Sequence, residues 1–240
     1  MGVARQLRSI GRGFATACLL AGSLHTGAQA YPARVPQIAL HTGWDGISLH
    51  SYLGSVGENL NTQTSQLDLQ TWQAPVTGNA TFSLRMEIAG YARYNSIGVY
   101  NAGAASPTKF LVFPGAASPG WYATCAFGAS GQLTVRLYDT VHNLQGITNH
   151  TGVDRNNFGF YLEGPAGTFW SQDFRNAGGK PQALAYAGTG AYTGRWWECF
   201  EDLPYGSSDV DFQDSILLLE AVVPTPARSS TWGALKSLYR

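Results

Sequence analysis

Two stretches of the chain alternate strictly between apolar and polar residues. In the first, Phe82, Leu84, Met86 and Ile88 are separated by Ser83, Arg85 and Glu87. In the second, Leu133, Val135 and Leu137 stand opposite Thr134, Arg136 and Tyr138. Period two sends successive side chains to opposite faces, so each stretch predicts a strand with one face on a core. Eight further runs rich in β-branched and aromatic residues predict strands at 97–100, 109–113, 121–127, 158–163, 167–171, 183–187, 195–200 and 215–223. Turn chemistry separates them: Asn101-Ala-Gly103, Ser118-Pro-Gly120, Ser130-Gly131, Gly164-Pro165, Asn176-Ala-Gly-Gly179 and Pro204-Tyr-Gly206. Many short strands so spaced predict an all-β fold, a single β-sandwich or jelly-roll-like domain of mostly antiparallel strands. Only residues 45–72 are ambiguous. Leu49, Leu53, Val56 and Leu60 fit a helical period, with Gly54 and Gly57 against it. Residues 75–223 contain no repeat and no linker, so the domain is expected to run as one unit over 31–223.

The two ends of the chain do not share this pattern. Arg5, Arg8 and Arg12 precede the apolar run 14–22, and Ala28-Gln29-Ala30 then offers a small-x-small cleavage site. That order predicts a secretory signal peptide over residues 1–30. Its apolar run is too short to anchor a membrane helix, and no later stretch is long and apolar enough to span a bilayer. Cleavage would remove Cys18 and leave Cys125 and Cys199. An even pair in an oxidising compartment predicts one disulfide. It would close a loop of about 75 residues, on the order of 4 kcal/mol by chain entropy. Two separate buried thiols are the alternative.

Charge sharpens the picture. The chain holds 15 Lys+Arg and 15 Asp+Glu, and charged residues are only 12% of it. Without a basic excess there is nothing to neutralise nucleic-acid phosphates. The zero conceals a gradient, however. Residues 31–224 carry 9 Lys+Arg against all 15 acids. Seven of those acids, Glu198, Glu201, Asp202, Asp209, Asp211, Asp214 and Glu220, share a stretch with no Lys or Arg.

The densest part of that stretch is Glu201-Asp202, followed by Asp209-Val-Asp211-Phe-Gln-Asp214. Carboxylates so crowded repel one another unless a cation lies among them. Ca²⁺ suits such a set, because it takes 6–8 hard oxygen ligands. Asp209 and Asp211 share one face of an extended chain, with Phe212 turned the other way, into the core. The likeness to an EF-hand loop is superficial, since the required Gly and distal Glu are missing. An acidic turn capping its own amides is the alternative.

Catalytic patterns are sparse. Neither a Gly-x-Ser-x-Gly elbow nor a His-Glu-x-x-His occurs. The histidines downstream of the signal are His41, His50, His142 and His150, the last two in a polar turn region. Glu87 and Glu163, on separate predicted strands, would be the acids of a jelly-roll glycosidase. Trp44, Trp170, Trp196 and Trp197 are candidates for a sugar-stacking platform, although adjacent Trp196 and Trp197 must face opposite sides of a strand. Asn79-Ala-Thr81 and Asn149-His-Thr151 match the N-glycosylation pattern, relevant only in a glycosylating host.

Five segments together resemble a known family: 86–103 (MEIAGYARYNSIGVYNAG), 158–173 (FGFYLEGPAGTFWSQD), 177–188 (AGGKPQALAYAG), 200–204 (FEDLP) and 207–222 (SSDVDFQDSILLLEAV). Residues 80–223 are similar to exported bacterial proteins carrying the domain of unknown function forty-one-fourteen. Its hallmark is Glu-Asp-Leu followed by Asp-x-Asp-Tyr-x-Asp before an apolar strand. Glu201 and Asp202 match the first part, and Asp209, Asp211 and Asp214 the second, with Phe212 in place of Tyr. The resemblance implies an extracellular β-sandwich with a divalent-cation site at the acidic motif. The tail, residues 224–240, resembles a degenerate PEP-CTERM sorting signal. Val223-Pro-Thr-Pro226 begins it similarly, but Thr225 replaces the usual Glu and Lys236 interrupts the apolar run.

The expectation is thus a secreted or cell-surface, non-enzymatic interaction or adhesion module with a structural Ca²⁺. Its partner would be an extracellular polysaccharide or surface protein. A carbohydrate-binding module and, less so, a glycosidase are the alternatives.

Overall fold

The computed structural model describes residues 31–42 and 46–225. The signal-like segment, Trp44 and nearly all of the sorting-like tail lie outside the described residues. Thirteen strands occur among the described residues: β1 Trp72–Gln73, β2 Asn79–Glu87, β3 Ser96–Asn101, β4 Lys109–Phe113, β5 Tyr122–Phe127, β6 Leu133–Tyr138, β7 Leu144–His150, β8 Phe158–Gly164, β9 Gly167–Trp170, β10 Ala183–Ala187, β11 Trp196–Phe200, β12 Ser215–Glu220 and β13 Val223–Pro224. One sheet has the order β10-β11-β12-β2-β5-β6-β7. The other has the order β13-β1-β8-β3-β4, with β9 also on β8. Neighbours pair antiparallel throughout. The fold is an all-β sandwich, as the alternation predicts.

The main core lies between the sheets. Phe82, Leu84, Cys125, Leu133, Val135, Trp196, Phe200 and Leu217 meet Trp72, Val99, Phe110, Phe158, Phe160 and Leu162 there. A second core lies on the far side of β10, β11 and β12, formed by Leu184, Tyr186, Trp197, Cys199, Ile216 and Leu218. Helix α1, Leu49–Ser55, covers it with Leu49 and Leu53. Ser48 Oγ caps the helix by accepting from Ser51 N at 3.1 Å, and Gly57, at φ +93°, turns the chain beyond it. Seven residues cannot hold a helix alone; burial of the i, i+4 pair holds this one. The helical part of the ambiguous segment is therefore the lid of the second core, whereas Leu69 and Trp72 at its end pack in the main core.

Strands buried on both faces explain why 215–220 and 196–200 read as apolar runs, not alternations. At β2 the register against β12 slips between Ile216 and Leu217. Beyond the slip, Met86 pairs with Ile216 and packs in the second core, leaving the face it would otherwise share with Leu84.

The predicted Cys125–Cys199 disulfide does not form: both cysteines are free and buried. Cys125 on β5 faces the inter-sheet core, whereas Cys199 on β11 faces the second core. Strands β12 and β2 lie between them. Three inter-strand steps amount to roughly 14 Å, and a disulfide requires Cα atoms within about 7 Å. His150, expected in a turn, instead ends β7. Among the described residues no helix is long and apolar enough to cross a membrane.

Candidate metal centre in the loop between β11 and β12

Residues 201–214 leave β11 and return to β12. Trp197 and Cys199 anchor the outgoing strand in the second core, and Phe212, fully buried, anchors the return beside them. Pro204 O accepts from Ser207 N at 2.7 Å and Ser208 N at 3.0 Å, which closes a turn between these anchors. Val210 and Phe212 then adopt φ +58° and +55°. Left-handed backbone costs an L-residue about 1–2 kcal/mol and is a genuine outlier for β-branched Val. The buried Phe212 and the polar contacts around Asp211 hold the backbone there, with the N-terminal segment tied on by His41 N donating to Val210 O at 3.2 Å.

This path gathers carboxylates. One oxygen each from Glu201, Asp209 and Asp211 lies within 4.8 Å of the other two. Glu201 and Asp211 are buried and Asp209 is exposed. Glu201 Oε1 accepts from Phe212 N at 2.5 Å, and Oε2 accepts from Ser208 Oγ. Ser208 Oγ in turn accepts from Val210 N at 2.8 Å. Asp211 accepts from Gln213 N at 3.2 Å and from Gln213 Nε2 at 2.7 Å. Burial pushes the Glu201 carboxyl up to about 7, against its hydrogen bonds from Ser208 and Phe212, with Asp211 and Asp209 adding to the rise.

The other two predicted ligands belong to a neighbouring arrangement. Asp214 Oδ2 accepts from Asp202 N at 2.8 Å, and Asp202 Oδ2 accepts from Asn95 Nδ2 at 2.9 Å. Burial, then the Asp202 charge, raises the Asp214 carboxyl well above the usual range. The same two causes push Glu87 up to about 8. The motif thus divides in two: Glu201, Asp209 and Asp211 face a common point, while Asp202 and Asp214 brace the base of the loop. Ser208, Asn95 and Gln213 were not singled out from sequence. Ser208 and Gln213 sit inside the acidic motif, but Asn95 is distant in sequence and carries no local signal.

The donor set fits a hard cation. Two oxygens across a Ca²⁺ at 2.3–2.6 Å are at most about 5 Å apart, and the observed spread of 4.8 Å lies within that limit.

The remaining candidates are dispersed. Trp196 is buried in the main core and Trp197 in the second. Trp196 Nε1 donates to Val222 O at 3.2 Å, and Trp197 Nε1 to Glu58 Oε1 at 2.5 Å. Neither ring can stack on a sugar. Trp170 is half-buried, edge-on to Tyr100 at 4.7 Å. Glu163 pairs with Lys109 on the outer face of its sheet, whereas Glu87 ends β2 in the other sheet beside Asp202. A cleft of about 370 Å³ is lined by Arg34, Asp68, Gln70, Asp173, Lys180 and Tyr205, the last from the turn of the acidic loop, but by none of that loop's carboxylates. Its central charges are already engaged, Arg34 with Asp173 at 2.6 Å.

Comparison with protein-family models, with curated proteins and with solved structures finds no match to this chain.

Proposed function

We propose that this chain is an exported, non-enzymatic β-sandwich module of the cell surface or extracellular space, with a structural Ca²⁺ held by Glu201, Asp209 and Asp211. The observation that carries the proposal is the convergence of three carboxylates, two of them buried, in a loop whose backbone is strained at Val210 and Phe212. No Lys or Arg lies in 198–220 to balance them. Ca²⁺ would supply that charge and tie the turn at Pro204–Ser208 to the sheet through Glu201. An all-oxygen set drawn from one loop favours Ca²⁺ over softer metals, which prefer imidazole or thiolate.

Export is supported by the order of arginines, apolar run and small-x-small site in residues 1–30. The likeness of 80–223 to the exported family described above points the same way. An interaction or adhesion role, toward an extracellular polysaccharide or a surface protein, is the reading that suits an exported domain whose clustered carboxylates serve a structural loop.

Terbium luminescence tests the site directly, since Tb³⁺ takes the same hard oxygen ligands as Ca²⁺. The wild-type chain should bind one Tb³⁺, displaced by Ca²⁺, and Asp209→Asn should abolish most of the signal while leaving the fold intact, because Asp209 is exposed. Equal binding by the variant would overturn the assignment.

A further inference from the structure

The exposed edges of the two sheets are not alike. At β10, Leu67 N donates to Ala185 O at 3.0 Å, and isolated bridges link Ala33 to Leu67 and Leu67 to Ala185. That edge is covered. In the other sheet β13 has only two residues and ends on Pro224, and β9 has four. Strand β4 carries Lys109, and His150 Nε2 lies 2.9 Å from Leu111 O. Short strands, proline and lysine are the usual protections of a sheet edge.

Strand β7 has none of them. It runs seven residues, Leu144-Gln-Gly-Ile-Thr-Asn-His150, and among the described residues pairs only with β6. It contains no proline, lysine or acid, and every residue but His150 is exposed. Its outer side presents a row of backbone donors and acceptors whose natural complement is another strand. The hairpin leading into it also concentrates exposed apolar surface: Val141 is 70% exposed, Leu144 50% and Ile147 52%. The only formal charge in residues 139–150 is Asp139.

The order of residues fits one occupant in particular. A two-fold axis at Ile147 sets each Ile147 against its counterpart, Gly146 against Thr148, and Gln145 against Asn149. Apolar meets apolar, amide meets amide, and the small residue meets the β-branched one. A Cβ placed on Gly146 would meet nothing within 4 Å, so the approach is open. Such a patch is self-complementary, as an isologous interface requires. We infer that β7 pairs antiparallel with β7 of a second copy, joining two seven-stranded sheets across a two-fold axis at Ile147.

Sedimentation velocity of the full chain over a dilution series tests the pairing. The wild-type chain should show a monomer–dimer equilibrium. Ile147→Lys should shift it to monomer with an unchanged melting midpoint, since Ile147 faces outward opposite Arg136. Directly opposed residues bring their Cβ atoms to about 4.5–5.5 Å. Ile147→Cys should therefore cross-link two chains under mild oxidation, several-fold above the background set by Val76→Cys at a fully exposed site elsewhere. A wild-type chain that stays monomeric throughout, a dimer undiminished by Ile147→Lys, or cross-linking no greater than that of Val76→Cys would overturn the inference.

Discussion

Phe212 shows how one side chain can position chemistry it does not perform. Its ring is fully buried with Leu49, Leu53 and Trp197, and this fixes Asp211 on one side and Asp214 beyond it. Phe212→Ala should cost about 3–5 kcal/mol, read in urea unfolding, and should weaken Ca²⁺ binding as the loop loosens. The inward turn of Phe212 was legible from its apolar side chain between acids, but Asp209 and Asp211 converge through left-handed backbone at Val210 and Phe212, not through the extended alternation that the sequence suggests. The parting of Asp202 and Asp214 from the other acids was not legible either, because it depends on Asn95 and on backbone contacts across the loop. Glu198 carries a different consequence. It is fully buried on the face of β11 that bears Trp196 and Phe200, and Oε2 has no hydrogen-bond partner. Burial raises its carboxyl far above the ordinary range, with Arg34 opposing and Asp173 adding. A folded pKa above the unfolded one favours the protonated folded state. Stability from this group is therefore fully present below about pH 4.3, the unfolded value, and is lost as pH rises toward the folded value. Glu198→Gln should flatten the alkaline fall in melting temperature; a parallel fall in the variant would refute this assignment of the proton.

Strand existence was legible where a buried face runs over several residues; the two-residue β1, anchored by the buried Trp72, was not. The alternations at 82–88 and 133–138 became β2, which ends at Glu87, and β6; the runs predicted at 183–187, 195–200 and 215–223 became β10, β11 and β12, the last ending at Glu220. Strand β7 escaped because it is exposed on both faces, so no periodicity marks it. The bulge in β2 escaped too, since burial alternates unbroken from Ala80 to Glu87 while the face changes. Two cross-strand pairs, Gly98 with Tyr161 and Tyr100 with Gly159, form the outer layer on β3 and β8. Each tyrosine ring lies where a Cβ on the opposing glycine would sit. At Gly98 that Cβ would also press into the Phe110 carbonyl, which cannot move without breaking the β3–β4 pairing. Gly98→Ala should therefore lower stability by about 1–3 kcal/mol, the usual cost of overpacking, measurable as a shift of the urea midpoint. The separation of Cys125 and Cys199 onto opposite faces of one sheet belongs to the same scale. Burial also pushes both thiols up, away from the reactive thiolate. A thiol reagent should leave both untouched in the folded domain and label both after unfolding, and reductant should not change the melting midpoint.

At the scale of the molecule, one sheet with a core on each side replaces the disulfide as the source of long-range order. Counting cysteines cannot reveal this, because sheet order sets their distance and sequence spacing does not. The acidic excess behaves differently: the sequence pattern located it at 198–220, and the fold concentrates three of its carboxylates within one cation's reach. A ligand that binds only the folded state stabilises it by about 2.7 kcal/mol at a hundredfold excess over Kd. For a domain of this size that is about 5–10 °C in Tm. The most direct measurement is a thermal melt of the chain in saturating Ca²⁺ and in EDTA, repeated for Asp209→Asn. A higher midpoint in Ca²⁺ for the wild type, abolished by the substitution, is the expected result; identical midpoints in Ca²⁺ and EDTA would contradict a structural cation in the loop between β11 and β12.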